Sequence, residues 1–347
     1  MNPFDNLTPF GYDASFAYDL EGSAVVVLCV AGRFRMPPGG TVGREPLEIM
    51  EEQLPPAMAD EYWSNPAKSS LKSAGQGVPN RPGAEVYVRG SAWATAGRPT
   101  VRMRTSVRVD SCSKQVDVVG NRFWVRGLVD MAPTSPEPFV SMPLLYERSF
   151  GGTAWSKDGR VLAQEPRNHV GRGVYASQQD AADQLLPNLE APGAYTESWN
   201  GRNTPCGYGP IPGSWQPRLG WAGTYDQKWL DERIPLWPRD TDPRFFCAAA
   251  PGLSFNGPLR GGEAVLIEGM SPDGDFIFCL PEYRLLGKSI YADRTIRGAL
   301  HLDGVLLEPD HRAVTLFWRR VVPLGHGPRV HLRSIVRIAE PWEDLPA

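Results

Sequence analysis

The chain has little that would carry it into a membrane. Its longest apolar run, Ala24 to Ala31, is eight residues, whereas a bilayer-spanning helix needs ~20. Excess positive charge is also missing. With 36 Lys and Arg against 39 Asp and Glu, the net charge is −3, so no global field favours a nucleic acid partner. Cysteine pairs are absent too. Cys29, Cys112, Cys206, Cys247 and Cys279 are odd in number and scattered, with no CxxC spacing. That pattern predicts reduced, mostly buried thiols and a cytoplasmic location. The opening residues, MNPFDNLTPF, lack the basic and apolar regions of a secretory signal. The sequon Asn6-Leu-Thr8 is therefore expected to carry nothing.

Turn formers and aromatics are abundant. Thirty-six glycines and 34 prolines interrupt the chain too often for a helical bundle, while 41% hydrophobic residues and 11 tryptophans exclude a disordered chain. The expected class is mainly β, all-β to α+β. Antiparallel sheets in two β-rich lobes are joined by a long Gly/Pro/Trp-rich irregular segment with a few short helices. Residues 1–140 read as the N-terminal lobe, 141–260 as a connector packed on both lobes, and 261–347 as the C-terminal lobe, with one compact unit overall as the alternative.

Ala24–Ala31 is β-branched and short, so it predicts a buried strand. Leu47, Met50 and Leu54 stand at helical spacing between Pro46 and Pro55, which predicts a short acidic helix over 45–54. From Ala84 to Arg126 the period is two: Val101, Met103, Thr105, Val107 and Val109 share one face, and Arg102, Arg104 and Arg108 the other. Val116–Val119 and Arg122–Val125 flank Gly120-Asn121, which predicts a tight hairpin. The connector holds Trp199, Trp215, Trp221, Trp229 and Trp237, with short helices expected near Asp180–Leu186 and Gln227–Arg233. Glu263–Glu268 and Asp275–Leu280 flank Ser271-Pro-Asp-Gly274, a turn in which Pro presets φ and Gly accepts a positive one. Strands then follow over Ala299–Leu302, Val305–Leu307, Ala313–Val322 and Val330–Ile338.

Catalytic templates come close and fail. Gly287-Lys288-Ser289 ends like a phosphate loop, but Glu282 stands where its first glycine belongs. Ser69-Ser-Leu-Lys72 has serine–lysine spacing without the companion motifs, and Gly252-Leu-Ser-Phe-Asn256 lacks the last glycine of a nucleophile elbow. Asp240 and Asp242 fit turn caps better than a cation site. His169, His301, His311, His326 and His331 lack metal-ligand spacing. No enzyme activity, metal or cofactor is expected. Binding has better support. Arg89 to Arg126 carries eight basic residues and two acids, and His311 to Ala339 six arginines and no acid. Such faces engage an acidic partner, or arginine stems merely cover sheet surface. The tryptophans likewise serve as core or as partner surface.

Pro143-Leu-Leu-Tyr146-Glu147-Arg148-Ser-Phe150-Gly151-Gly152 is followed by Asn168-His-Val-Gly171-Arg-Gly173 and Leu186-Pro187-Asn188-Leu-Glu190. Next come Gly207-Tyr-Gly209-Pro210-Ile211, Trp215-Gln-Pro-Arg218, Ala222-Gly223-Thr224-Tyr225-Asp226-Gln-Lys-Trp229, Asp240-Thr-Asp242-Pro-Arg244-Phe245-Phe246 and Gly261-Gly262-Glu263. In this order the series resembles the bacterial family called domain of unknown function 2169, from about Val25 to Arg320. The resemblance implies a non-catalytic cytoplasmic adaptor or chaperone of type VI secretion in a Gram-negative bacterium. Its partners would be an effector, often one bearing a PAAR-repeat tip domain, and the spike protein, with no nucleic acid and no membrane insertion. His169 departs from a usual proline, and Cys247 to Gly252 from a usually more polar run. Partner-binding candidates are Arg102, Arg104, Arg108, Glu147, Arg148, Trp215, Arg218, Trp221, Tyr225, Asp226 and Trp229. The rival reading is a carbohydrate- or small-ligand-binding protein that uses the tryptophans and the Asp240/Asp242 pair.

Overall fold

The computed structural model describes residues 4–127, 130–325, 330–340 and 342–343; His326 lies outside them. The fold is mainly β, built from antiparallel sheets, as its alternating patterns predict. The larger sheet contains β1 (Phe4–Asn6), β2 (Gly11–Tyr18), β3 (Ala24–Arg35) and β4 (Glu85–Val88). The second sheet takes β5 (Arg102–Val109), β6 (Cys112–Val119), β7 (Leu189–Glu190), β8 (Ala264–Glu268) and β9 (Phe276–Cys279). The larger sheet is completed by β10 (Leu285–Tyr291), β11 (Thr295–Glu308), β12 (Ala313–Pro323) and β13 (His331–Ile338).

The larger sheet runs β1-β13-β10-β11-β12-β3-β2, with β4 parallel to the second half of β11. Its two outer strands are consecutive in the chain. The Asn6 amide donates to the Phe10 carbonyl at 2.8 Å, and the Phe4 and Phe16 rings lie 6.2 Å apart, so the sheet curls into a nearly closed barrel. The second sheet runs β7-β6-β5-β8-β9. Each sheet thus combines strands from before residue 140 with strands from after 260.

The apolar run in β3 is buried on both sides. Val26, Leu28 and Val30 face the main core, which also takes Val107 and Val109 of β5, while Cys29 and Ala31 pack with Phe317 and Met58 on the other side. Continuous burial of this kind explains why the strand does not alternate. The hairpin of β8 and β9 forms around the expected turn Ser271–Gly274, with Val265 opposite Phe278.

Several local expectations fail. Residues 45–54 form no helix. They run extended along the end of β3, where Met50 N–H donates to Arg33 and Arg35 N–H to Glu48. The Gln53 side chain bonds both the N–H and the carbonyl of Arg33 at 2.8 Å. An isolated ten-residue helix barely outlasts its nucleation cost, and unpaired β3 backbone offers a better alternative. Gly120-Asn121 is not a hairpin turn either. Trp124–Arg126 pairs with Met131–Pro133, and Gly120 exists because a Cβ there would meet the Glu137 carbonyl at 1.8 Å. Ala299–Leu302 and Val305–Leu307 are one strand, β11, with an irregularity between Leu302 and Gly304. The connector keeps two short helices, α1 (Gln178–Ala181) and α2 (Gln227–Glu232); the first is shorter than its pattern implies.

Candidate functional site

The connector is irregular but internally bonded. Buried Asn168 donates to the carbonyls of Tyr146 and Phe150 at 2.8 and 2.9 Å. Asn188 donates to Val119 and accepts from Arg172 and Arg148. The Glu147 carboxylate takes the Ser70 N–H and hydroxyl at 2.7 and 2.8 Å, which anchors the turn over 63–70. Arg148 also reaches the Met142 sulfur. Glu147 and Arg148 are therefore occupied in holding segments together.

Trp215 is 3% exposed, edge-on to Tyr146 at 5.8 Å and beside His169 at 5.7 Å. Burial lowers the His169 pKa below its ordinary value. Arg218 is buried as well, donating to the carbonyls of Phe245 and Ile211. These two candidates build the scaffold and present little surface of their own. Ala248, Ala250 and Leu253 are buried, and Ala249 N–H donates to Glu85 at 2.6 Å. The apolar departure after Cys247 thus sits largely in the interior.

The rest of the connector shows apolar surface. Arg244 lies over the Trp221 ring at 4.7 Å and is held by Asp242. Asp226 caps α2 by accepting the Trp229 N–H at 2.9 Å. The Trp229 indole donates to the Leu236 carbonyl, and its ring meets Tyr225 edge-on at 4.7 Å. Around these anchors Leu219 (52%), Tyr225 (49%), Leu230 (46%) and Ile234 (56%) stand exposed. Leu219, Leu230 and Ile234 were not singled out from the sequence. The four-residue spacing of Leu230 and Ile234 beside Trp229 was the available signal.

The arginine face lies on β5 of the second sheet. Arg102 packs over the Tyr195 ring at 4.3 Å. Arg104 pairs with Asp117 at 2.6 Å, and the Tyr195 hydroxyl donates to the same carboxylate. Those hydrogen bonds, Arg104's first, hold the Asp117 carboxyl below its usual range. Arg108 lines a shallow bowl with Ser106, Glu268 and Pro192. Part of the local positive excess is matched by acids from distant segments: Arg89 pairs with Glu308 and Arg122 with Glu190. Sequence windows cannot show such partners.

The near-miss motifs occupy structural positions. Gly287-Lys288-Ser289 lies within β10, paired on both sides. Ser69 closes a turn to Asn65. Asp240 accepts the N–H and hydroxyl of Thr224. Burial raises the thiol pKa of Cys29 and of Cys247 to about 12. No cluster of three metal-ligating side chains occurs among the described residues, and no helix there is long and apolar enough to cross a membrane.

The family described as uncharacterized protein conserved in bacteria (DUF2169) matches residues 21–319. The chain belongs to the DUF2169 family. No curated protein and no solved structure matches it. Several of the most recognisable DUF2169 words now have a physical reading. Gly151 and Gly152 have φ of +151° and +110°, and a Cβ on Gly151 would come within 2.3 Å of the Asn168 carbonyl. The glycines, Asn168, Asn188 and Glu190 form the connector's internal frame. In this DUF2169 chain, Tyr225 and the apolar residues around α2 are among those the frame leaves exposed, together with Trp155, Val161 and Leu162.

Proposed function

We propose that this protein is a non-catalytic adaptor that holds a partner polypeptide, and that the partner is a type VI secretion effector delivered to the PAAR-tip and spike assembly. The observation that carries the binding role is the set Leu219, Tyr225, Leu230 and Ile234, exposed on a segment fixed by Trp215, Arg218 and the Asp226 cap. Rigid, exposed apolar and aromatic side chains suit a protein interface, because little conformational entropy remains to be lost on binding. The secretion role rests on the family resemblance. A glycan-binding reading has less support, since Asp240 and Asp242 are engaged by Thr224 and Arg244 and Trp215 is buried.

The test is titration of the purified protein, by calorimetry, with a type VI effector from the same bacterium. Replacing Leu219, Tyr225, Leu230 and Ile234 together by serine should weaken binding at least tenfold while the far-ultraviolet circular dichroism stays unchanged. Full-strength binding by that variant would move the interface elsewhere. No binding by the unaltered protein would remove the adaptor reading.

A further inference from the structure

We propose that the cleft where β11 and β12 part company binds a small organic oxyanion, a carboxylate or phosphate carried on an apolar body, through Arg319 and Arg320. The two strands are paired up to His301 opposite Arg319. β11 residues before His301 pair with β10 instead. The fork opens a cleft of about 520 Å³ lined by Arg319, Arg320, His301, Asp303, Gly298 and three prolines, among others.

Arg320 is built into the fork. Its Nη1 donates to the carbonyls of Gly287 and Gly298, at 2.7 and 2.6 Å, and these glycines face each other across β10 and β11. A Cβ on Gly298 would come within 2.9 Å of the guanidinium, and one on Gly287 within 3.0 Å. The glycine pair is thus the bed on which the guanidinium lies. Both bonds use the same nitrogen. Arg320 Nε and Nη2 have no acceptor among the described residues.

The other charges at the cleft cancel. Arg81 pairs with Glu85 at 3.0 Å, and Arg319 pairs with Asp303 while its Nη1 donates to the Val78 carbonyl. Glu85 also accepts the Tyr87 hydroxyl and the Ala249 N–H. Three guanidiniums therefore face two carboxylates, and Arg320 is left without a counter-ion. Arg319 Nε likewise lacks an acceptor among the described residues. Burial lowers the pKa of both arginines, with the like charge of Arg81 adding to the effect on Arg319. An incoming anion would relieve that cost. Guanidinium forks bind oxyanions with charge-assisted, often bidentate hydrogen bonds. Pro79, Pro82, Pro258 and Val321 supply apolar wall for the rest of the ligand.

The experiment titrates the full chain with inorganic phosphate, acetate and hexanoate, by calorimetry at ionic strength held constant with sodium chloride. Saturable binding of phosphate or of a carboxylate is expected. Stronger binding of hexanoate than of acetate would show the apolar wall at work, and the phosphate-to-carboxylate ratio identifies the preferred head group. Arg320→Ala should lose at least tenfold in affinity, and Gly298→Ala, which displaces the guanidinium but keeps its charge, should lose a similar amount. Arg104→Ala, on the other sheet, should bind as the unaltered protein does. Absence of saturable binding by all three probes, or equal loss in Arg104→Ala, would overturn the proposal. Should Arg320→Ala fail to fold, the ¹⁵Nε–H resonances of Arg319 and Arg320 in the unaltered protein decide. They should shift saturably with the bound probe, and constancy would overturn the site.

Discussion

At the scale of single residues, the side chains that look most chemical in the sequence are mostly structural, and stability measurements separate the two classes. Asn168→Ala leaves the Phe150 carbonyl without a donor and the Tyr146 carbonyl with the Ser149 N–H alone, in a buried site. Urea unfolding should report a loss of about 2 to 4 kcal/mol. Trp215→Ala should cost about 3 to 5 kcal/mol, the usual range for a buried large aromatic. Tyr225→Ala, half exposed, should change stability by no more than about 0.5 kcal/mol and register in partner binding instead. A large loss in Tyr225→Ala, or none in Trp215→Ala, would reverse these assignments. The pH dependence is also specific. Asp117 titrates below its usual ~3.9 in the folded protein because Arg104 bonds its carboxylate. Its stabilising contribution is complete above that value and fades as the pH falls through the lower, folded-state pKa. Unfolding free energy measured from about pH 5 downward should therefore fall less steeply in Arg104→Ala. What was illegible here was pairing. Arginine density on β5 is visible in the sequence, but Glu190 and Glu308, which neutralise its neighbours Arg122 and Arg89, lie far along the chain.

At the scale of elements, legibility follows how much of the pattern is local. The β8–β9 hairpin reads correctly because its turn chemistry and its alternation agree within a few residues. The strand face bearing Arg102, Arg104 and Arg108 reads correctly for the same reason. Residues 45–54 misread because a weak helical spacing competes with unpaired β3 backbone, a long-range partner that no window contains. The α2 segment lies between these cases. Its location follows from the sequence, and its hold on the surface depends on one cap. Asp226→Ala removes the acceptor of the Trp229 N–H and should cost about 1 kcal/mol. Because Trp229 packs against Tyr225, the same change should also raise hydrogen exchange across 225–234. Unaltered exchange there would mean that the aromatic contacts alone fix the patch.

At the scale of the whole molecule, the strand order joins what the sequence separates. β3 lies between β2 and β12, and β5 lies between β6 and β8. Removing residues after 140 would strip β3 of its β12 neighbour and β5 of its β8 neighbour, exposing Val26, Leu28, Val30, Val107 and Val109. A fragment of residues 1–140 therefore lacks a core of its own, since each of its sheets would be cut through the middle, leaving long unpaired edges that favour aggregation. Expressed alone it should be insoluble or unfolded, with collapsed amide dispersion in its NMR spectrum. The full chain should unfold in urea as one transition, coincident by tryptophan fluorescence and far-ultraviolet circular dichroism. A soluble fragment with dispersed resonances, or two separated transitions in the full chain, would show that the shared sheets do not couple the two ends. The connector would then join independent bodies, and a partner bound at α2 could not sense the barrel through the fold.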